Sequence, residues 1–278
     1  MRSSPFFDGV PQVELELRGE FVRVPIFYYD GVAIGAFFAA KLGALRRLLP
    51  DPRICPARLA PGLGVLGVMC FEYRDTDIGP YNELAIVISL NEPWFLPNLP
   101  GRALAAGMRR RQVHGWVHHL PVTTEIARVG GIDLYNYPKF IGRIEFEQTE
   151  TERICRLSEG HEPILTLAGE RIATPRSVQF QLFSHLWHDH QPQSSEFKVN
   201  ALEIGLSFRP GAARLELGDK HPIARELAGL LVSRRPIQYG YVPRFEGILY
   251  GPEHLTLPLI NRIEMRHAAR VQEPDHSD

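Results

Sequence analysis

The sequence predicts an α+β fold in which most of the structure is antiparallel strands. Three observations favour this class. Several segments alternate apolar and polar residues, few segments carry a helical stripe, and 24 glycines and 23 prolines are spread along the chain. Alternation with a period of two is typical of a strand with one buried face, and dispersed glycine and proline are expected where many turns join strands. With 278 residues, 44% of them hydrophobic, we expect a single domain over residues 1–270 and a frayed tail at 271–278.

Two kinds of strand are predicted. Four segments alternate and should each bury one face: residues 13–17, 144–147, 178–182 and 215–217. Two further segments are apolar almost throughout, which indicates strands buried on both faces: residues 65–71 and 84–90.

Two helices are predicted from apolar residues that recur on one face. The first covers residues 39–49, where four leucines form the stripe and Pro50 ends the helix. The second covers residues 222–232 and begins with Pro222, a favoured residue in the first helical turn. Residues 101–110 are a third candidate.

Composition excludes several classes of protein. The chain carries 31 basic and 32 acidic residues, a net charge of −1, so we expect neither nucleic acid nor a membrane surface as partner. No apolar run approaches the ~20 residues of a membrane-spanning helix, and the first residues lack the apolar stretch of a signal peptide. Three scattered cysteines, Cys55, Cys70 and Cys155, fit neither a disulfide framework nor a zinc site. We therefore expect a reducing, cytoplasmic setting.

A glycine motif at residues 62–67 matches the GxGxxG string of dinucleotide-binding folds. That string binds a pyrophosphate when a strand precedes it and a helix follows. Here Pro61 precedes it and an apolar, strand-like run follows. We interpret the motif as a glycine-rich turn that enters a buried strand.

A cluster of polar residues at 185–190 could bind a metal ion, since it contains His185, His188, Asp189 and His190. The spacing does not match a helical pair of histidine ligands, and a strand would point His185 and His188 to opposite faces. We predict no metal site. A metal-dependent enzyme that uses this cluster is kept as one of three hypotheses about function, and the other two follow below.

Lys139 is the candidate nucleophile. Only four of the 31 basic residues are lysines, and this one lies between Pro138 and Phe140, shortly after Tyr135 and Tyr137. Burial disfavours the ammonium form of a lysine, and a neutral amine can attack a ketone to give an iminium that accepts electrons. The alternative is a lysine whose stem is covered and whose amine reaches solvent.

Three segments of the chain resemble the acetoacetate decarboxylase family. In the first, Gly131-Ile-Asp133 and Tyr137-Pro-Lys139 have the spacing at which that family carries a Gly-x-Glu step and its Schiff-base lysine, with Asp in place of Glu. Upstream of that step, Glu125 and Ala127 also match. The second segment is residues 79–87, where Glu83 matches the active-site glutamate, and the third is the helix that ends near Pro50.

The resemblance implies a closed or cone-like β-barrel with a few flanking helices. It also implies a Schiff-base-forming lyase that acts on a small keto acid through Lys139, by decarboxylation of a β-keto acid or by related aldol or dehydration chemistry. Glu83 would orient the substrate or carry protons, and Tyr137, Tyr81 and Glu72 would contact the substrate. No cofactor is expected, because the lysine supplies the electron sink, and the family forms homo-oligomers. The remaining hypothesis is a non-catalytic member that binds a small ligand.

Departures from the family pattern leave the substrate open. The family's second lysine, directly after the nucleophile, is Phe140 here. Its arginine ahead of the first helix aligns with Gly31, although a gap would bring Arg23 to that position. A further glutamate aligns near Val68, with Glu72 close by.

Overall fold

The computed structural model describes residues 4–92, 99–172, 176–188 and 191–252. The described chain forms fourteen strands: β1 Val13–Leu17, β2 Glu20–Val24, β3 Ile26–Lys41, β4 Arg58–Ala60, β5 Leu63–Thr76, β6 Tyr81–Ser89, β7 Gln112–His119, β8 Arg143–Gln148, β9 Glu152–Glu159, β10 Glu162–Glu170, β11 Val178–His188, β12 Gln191–Ser207, β13 Ala213–Leu217 and β14 Gln238–Leu249. It also forms four α-helices: α1 Leu42–Arg47, α2 Arg102–Arg110, α3 Glu125–Tyr135 and α4 Pro222–Leu230.

Seven strands close into a barrel in the order β3-β14-β12-β11-β7-β6-β5, and β5 pairs back onto β3. Every neighbouring pair is antiparallel except β11 and β7, which run parallel. The short strand β4 extends the sheet beside β5. The predicted class, mostly antiparallel strands in a closed barrel with a few helices, is confirmed.

A second sheet, in the order β13-β10-β9-β8, covers part of the outer surface of the barrel. The largest core lies between the two, where outward side chains of the barrel such as Leu66 and Ile86 join Leu157 and Leu167 of the second sheet. The stripe of α4 enters the same core through Leu227. The second sheet therefore packs on the outer face of the barrel, and the barrel interior contains a separate hydrophobic cluster.

The barrel interior is lined by aromatic side chains. Tyr28 and Tyr73 lie with ring centroids 4.4 Å apart, and Phe71 stacks on Tyr73 at 5.5 Å. Phe197 and Phe245 contact the same group at their ring edges. Such pairs contribute about 0.5–1.5 kcal/mol each beyond the area they bury, so the interior is a rigid aromatic wall.

Five of the six predicted strand segments lie wholly in strands, and the sixth, 84–90, ends one residue beyond β6 at Leu90. Helix α4 begins at Pro222 as predicted. The first helix is shorter than predicted. Residues 39–41 continue β3, where Ala39 and Lys41 pair with Val65 and Leu63 of β5. The glycine motif begins in the turn between β4 and β5, where Gly62 has a φ of 74°, and its remaining residues belong to β5, in line with our interpretation.

Helix α3 was not predicted from the sequence. Its adjacent glycines, Gly130 and Gly131, weaken the helical signal by about 1 kcal/mol each relative to alanine. The helix forms because it buries Ala127, Leu134 and Tyr135 against the barrel, and tertiary packing outweighs the low propensity.

Other expectations are tested only in part. No helix in the described ranges is long and apolar enough to cross a membrane. Cys55, Cys70 and Cys155 are free. The predicted tail at 271–278 lies outside the described residues.

Glu72 joins the barrel to the second sheet. Its Oε2 accepts hydrogen bonds from Arg153 of β9 at 2.6 Å and from Arg74 at 2.9 Å. Arg153 is 4% exposed, and its guanidinium lies 4.8 Å from the ring centroid of Phe146. A buried cation of this kind depends on its carboxylate partner.

We expect Glu72→Ala to lower the free energy of unfolding by about 2–4 kcal/mol, because it leaves the Arg153 charge buried without a carboxylate. Urea denaturation measures the change. The control is Glu145→Ala, which removes an ion pair between the exposed side chains of Glu145 and Arg143 and should cost at most about 0.5 kcal/mol. Equal effects of the two variants would contradict this account.

Candidate active site

The end of α3 directs Lys139 into the barrel. The helix stops at Asn136, which adopts the left-handed conformation with a φ of 55°. Tyr137 then donates its backbone N–H to the carbonyl of Gly131 at 3.0 Å. The backbone N–H of Lys139 donates to the carbonyl of Tyr137 at 2.8 Å. This tight reversal turns the chain away from the helix axis directly before the lysine.

Short bridges fix this segment beside β6. Val122 pairs with Glu83 on one side and with Ile141 on the other. The Val122 N–H donates to the carbonyl of Phe140 at 2.9 Å, and the Gly142 N–H donates to Val122 at 3.0 Å. Glu83 and the lysine segment are therefore held by backbone hydrogen bonds through one intervening strand-like stretch.

Lys139 and Glu83 form a buried ion pair. Nζ of Lys139 donates to Oε2 of Glu83 at 2.7 Å, and their side chains are 6% and 11% exposed. The other carboxylate oxygen, Oε1, accepts from the hydroxyl of Tyr73 at 3.3 Å. Each charge thus has a partner in an interior where an unpaired charge would be costly.

Two tyrosine rings flank the amine. Nζ of Lys139 lies 5.8 Å from the ring centroids of both Tyr81 and Tyr137, within cation–π range. The hydroxyl of Tyr81 lies 3.0 Å from that of Tyr28, and the hydroxyl of Tyr137 lies 2.7 Å from Oγ of Ser184. The rings are therefore fixed by hydrogen bonds at their far ends.

The tyrosine hydroxyls stay protonated around neutral pH. Burial raises the pKa of Tyr137 to about 12, against the opposing hydrogen bond from Ser184, and the charge of Glu83 adds to the rise. Burial and the nearby Glu83 carboxylate also raise the pKa of Tyr73 well above its usual value. Both hydroxyls can therefore donate hydrogen bonds to a ligand or a carboxylate.

The pair faces a small space inside the barrel, which we call the inner pocket. Its volume is about 80 Å³. Apolar side chains such as Val117, Leu182 and Phe197 form most of the wall. The polar residues of the wall are Lys139, Glu83, Tyr28, Tyr73, Tyr137 and Ser184. A few convergent polar groups in an apolar cavity are typical of a small-molecule site.

The structure brings together four of the five predicted site residues: Lys139, Glu83, Tyr137 and Tyr81. It does not bring Glu72 to them, because Glu72 points out of the barrel towards Arg153. We therefore leave Glu72 out of the site.

The structure shows the surroundings of three positions that depart from the family pattern. A Cβ at Gly31 would lie 2.6 Å from Cζ of Phe245, so this ring occupies the space that a side chain at position 31 would need. Arg23 lies on β2 with an exposed side chain, 3.9 Å from Glu14. Neither position places an arginine in the inner pocket. Phe140 packs against the core between the barrel and the second sheet instead.

The sequence reasoning missed Tyr28, Tyr73 and Ser184. A signal existed for Tyr73, since it shares a strand face with Phe71 and lies opposite Tyr81 in the register of β5 and β6. Ser184 had none, because it reaches the site through the parallel pairing of β11 with β7.

The polar cluster at 185–190 lies at the end of β11. His185 is within hydrogen-bonding distance of His114, with Nε2 and Nδ1 3.1 Å apart, and His188 ends the strand. Asp189 and His190 lie outside the described residues. A different group in the described chain, His118, His119 and Glu226, has one potential ligand atom each within 4.8 Å of the others.

The absence of a side chain at Gly131 allows Lys139 to pack against α3. The side chain of the lysine crosses α3 at this glycine, and a Cβ there would overlap Cδ and Cε. At the neighbouring Gly130, a Cβ would meet only Cδ1 of Leu17, at 3.9 Å.

We expect Gly131→Ala to displace Lys139 from Glu83 and to lower the free energy of unfolding by about 2 kcal/mol, since it disrupts a buried pair. Gly130→Ala is the matched control, and it should be neutral or stabilise by up to about 1 kcal/mol through helix propensity. Urea denaturation compares the two. An equal response would show that close packing at Gly131 is unimportant.

A pH dependence follows from His185. Burial, together with the charge of His114, lowers its pKa to about 3, whereas a histidine in an unfolded chain titrates near ~6.5. The unfolded state therefore binds the proton first as the pH falls. The stability due to neutral His185 is complete above ~6.5 and is lost as the pH drops towards 3.

We expect the free energy of unfolding to fall between pH 7 and pH 5, with about 2 kcal/mol of the loss coming from His185. His185→Gln should remove that share of the loss, while His161→Gln, at an exposed position, should leave it unchanged. Urea titrations at both pH values measure it. The same loss in all three proteins would refute the assignment.

Solved structures with a similar fold include three informative ones. Acetoacetate decarboxylase from Legionella pneumophila superposes with a TM-score of 0.56 at 15% identity, covering 82% of this chain and 86% of that one. The enduracididine biosynthesis enzyme MppR complexed with pyruvate gives 0.54 at 15%, covering 82% and 90%. An acetoacetate decarboxylase-like enzyme from Sphingomonas wittichii RW1 gives 0.51 at 16%, covering 86% and 96%. At these identities the likeness shows the fold alone.

Among proteins of curated function, no sequence matches this chain. The family model described as acetoacetate decarboxylase (ADC) matches residues 10–244, a range that includes every residue lining the inner pocket except Leu249. The match spans most of the sequence and agrees with the barrel. The chain therefore belongs to the acetoacetate decarboxylase family.

Proposed function

We propose that this protein is a Schiff-base-forming lyase that acts on a small keto acid through Lys139. The observation that carries the proposal is the position of the Lys139 amine, which is buried, lies 2.7 Å from the Glu83 carboxylate and faces the inner pocket. Support comes from solved structures of similar fold, in which MppR is complexed with pyruvate and with a condensation product of pyruvate and imidazole 4-carboxaldehyde.

Glu83 has two roles in the proposed reaction. In the resting protein its carboxylate orients the lysine side chain. When a ketone enters the inner pocket, the same carboxylate accepts a proton from the ammonium, because the two groups already share a hydrogen bond. The transfer converts two buried charges into two neutral groups, which apolar walls accommodate at lower cost.

The neutral Nζ of Lys139 then adds to the keto carbon and forms a C–N bond. The carbonyl oxygen takes the proton held by Glu83 and, with a second proton from the nitrogen, leaves as water. The product is a protonated imine. It draws electrons from the adjacent carbon, so the lysine itself supplies the electron sink.

For a β-keto acid, the bond between the α-carbon and the carboxylate breaks, CO₂ leaves, and the electron pair forms an enamine. A proton taken from solvent and delivered through Glu83 forms a new C–H bond at the α-carbon and regenerates the protonated imine, which water hydrolyses to release the ketone and free Lys139. Aldol or dehydration chemistry would use the same enamine with a different partner.

Homo-oligomerisation and a cytoplasmic location stay predictions.

Borohydride trapping tests the proposal. Reduction of the imine in the presence of acetoacetate or pyruvate should leave a stable adduct on the peptide that carries Lys139, detected by mass spectrometry. Lys139→Arg should give no adduct and lose activity by at least about 10⁴-fold, because a guanidinium stays protonated and cannot attack the ketone. Circular dichroism checks that the variant is folded.

The matched control is Lys198→Arg, at a lysine whose amine lies over the ring of Phe6, on the strand β12. It should keep the adduct and the activity. If the wild-type protein forms no adduct with any keto acid but still binds one, the non-catalytic binding module becomes the better description.

A further inference from the structure

A second, larger space lies between side chains of the barrel strands and helix α2. We call it the outer cavity. Its volume is about 510 Å³, roughly six times that of the inner pocket. A volume of this size lies within the range of cavities that enclose a whole organic ligand.

We propose that the outer cavity binds a large apolar substituent of the substrate. The substrate would then be a keto acid whose ketone carries a medium-length or long hydrocarbon chain or an aromatic group. The inference rests on the proposed reaction at Lys139 and goes beyond it, because it assigns the substrate class.

The two spaces adjoin. Met69, Phe71, Val113 and Leu182 line both of them. These residues lie on β5, β7 and β11, which are strands of the barrel. These four side chains form the boundary between the two spaces, and in our proposal a molecule that places its keto carbon beside Lys139 extends past them into the outer cavity.

The two spaces would have different roles, with the reaction in the inner pocket and recognition of the rest of the substrate in the outer cavity. The inner pocket, at about 80 Å³, is well below the roughly 300–1,000 Å³ of cavities that enclose a whole organic ligand. It is large enough for the reacting carbons and their oxygens. The rest of a larger substrate must lie in the outer cavity.

The walls of the outer cavity select an apolar occupant. Within the barrel they are formed by side chains such as Phe37, Phe180 and Ile204. Charged side chains are confined to one side, where Glu92 and the arginines of α2 and its end meet the cavity. Burying one methylene in such a space improves binding by roughly fourfold.

The rim of the cavity is unusually apolar for a protein surface. Three large hydrophobic side chains, Met108, Leu206 and Phe208, are 55%, 56% and 60% exposed and line this one cavity. Exposed hydrophobic groups gathered at one place indicate a binding surface rather than random exposure. Arg109 and Arg110 stand beside them and can attract an anionic keto acid to the entrance.

A series of 3-oxo acids tests the proposal, from acetoacetate through 3-oxohexanoate and 3-oxooctanoate to 3-oxododecanoate. Rates of CO₂ release are measured against the reaction without protein, together with borohydride trapping. We expect kcat/KM to rise by roughly fourfold per added methylene until the outer cavity is filled. Equal values along the series would overturn the assignment, even with Lys139 fully active on acetoacetate.

Two variants of α2 form a matched pair. Ala106 lines the outer cavity, and Ala105 is exposed and does not line it. Ala106→Phe should lower kcat/KM for 3-oxododecanoate at least tenfold and leave the value for acetoacetate within twofold. Ala105→Phe should change neither. Loss of both substrates in Ala106→Phe alone, or no loss of the long one, would argue against the outer cavity as the chain-binding site.

Failure of the proposed reaction is distinguished by a binding measurement. If no acid forms an adduct with the wild-type protein, the role of Lys139 is wrong. Calorimetric titration with dodecanoate then decides the outer cavity by itself. Binding to the wild type and to Ala105→Phe, with at least tenfold weaker binding to Ala106→Phe, would support it, and no binding to the wild type would overturn it.

Discussion

The buried contact between Lys139 and Glu83 is the interaction on which the rest of the structure depends. Taking both charges out of water costs several kcal/mol for each ion, and only good geometry with further hydrogen bonds offsets that cost. The 2.7 Å contact and the hydroxyl of Tyr73 supply that geometry. The barrel must therefore hold two distant segments of the chain in one arrangement, because either ion alone would be left uncompensated.

Each neighbouring element serves that arrangement in a specific way. The end of α3 at Asn136 sends the chain into the barrel, and Gly131 leaves the lysine stem a path across the helix. The bridge through Val122 sets the segment beside β6. Ser184 of β11 anchors the ring of Tyr137, which in turn flanks the amine. Closure of the barrel by the pairing of β3 with β5 encloses the amine and the carboxylate among side chains of the barrel interior.

The sequence was informative wherever the signal was local. Alternation located the strands, and the aromatic and proline neighbours of Lys139 indicated its burial. Placement across strands was harder, as Glu72 illustrates. In a strand, adjacent side chains point to opposite faces, so Phe71 and Tyr73 face the interior while Glu72 faces Arg153. An alignment uncertain by one residue therefore moves a side chain from the site to the outside. The parallel pairing of β11 with β7, which brings Ser184 to the pocket, and the outer cavity both arise from long-range contacts that no single segment encodes.

The surroundings of Lys139 also bear on the choice between decarboxylation and aldol chemistry. Lys139 is the one cation that lines the inner pocket within the described residues, and Phe245 fills the space beside Gly31 where the family pattern would place an arginine. A substrate carboxylate in this pocket would meet apolar walls and the Glu83 carboxylate, with hydroxyl groups as its main hydrogen-bond donors. Loss of CO₂ removes that negative charge and leaves a neutral enamine, whereas an aldol step retains the charge in an apolar setting. Since desolvation penalises a localised charge more than a neutral group, we infer that the proposed Schiff-base reaction is a decarboxylation rather than an aldol addition, and an outer cavity that binds the apolar part of the substrate would offset the cost of bringing the carboxylate inside.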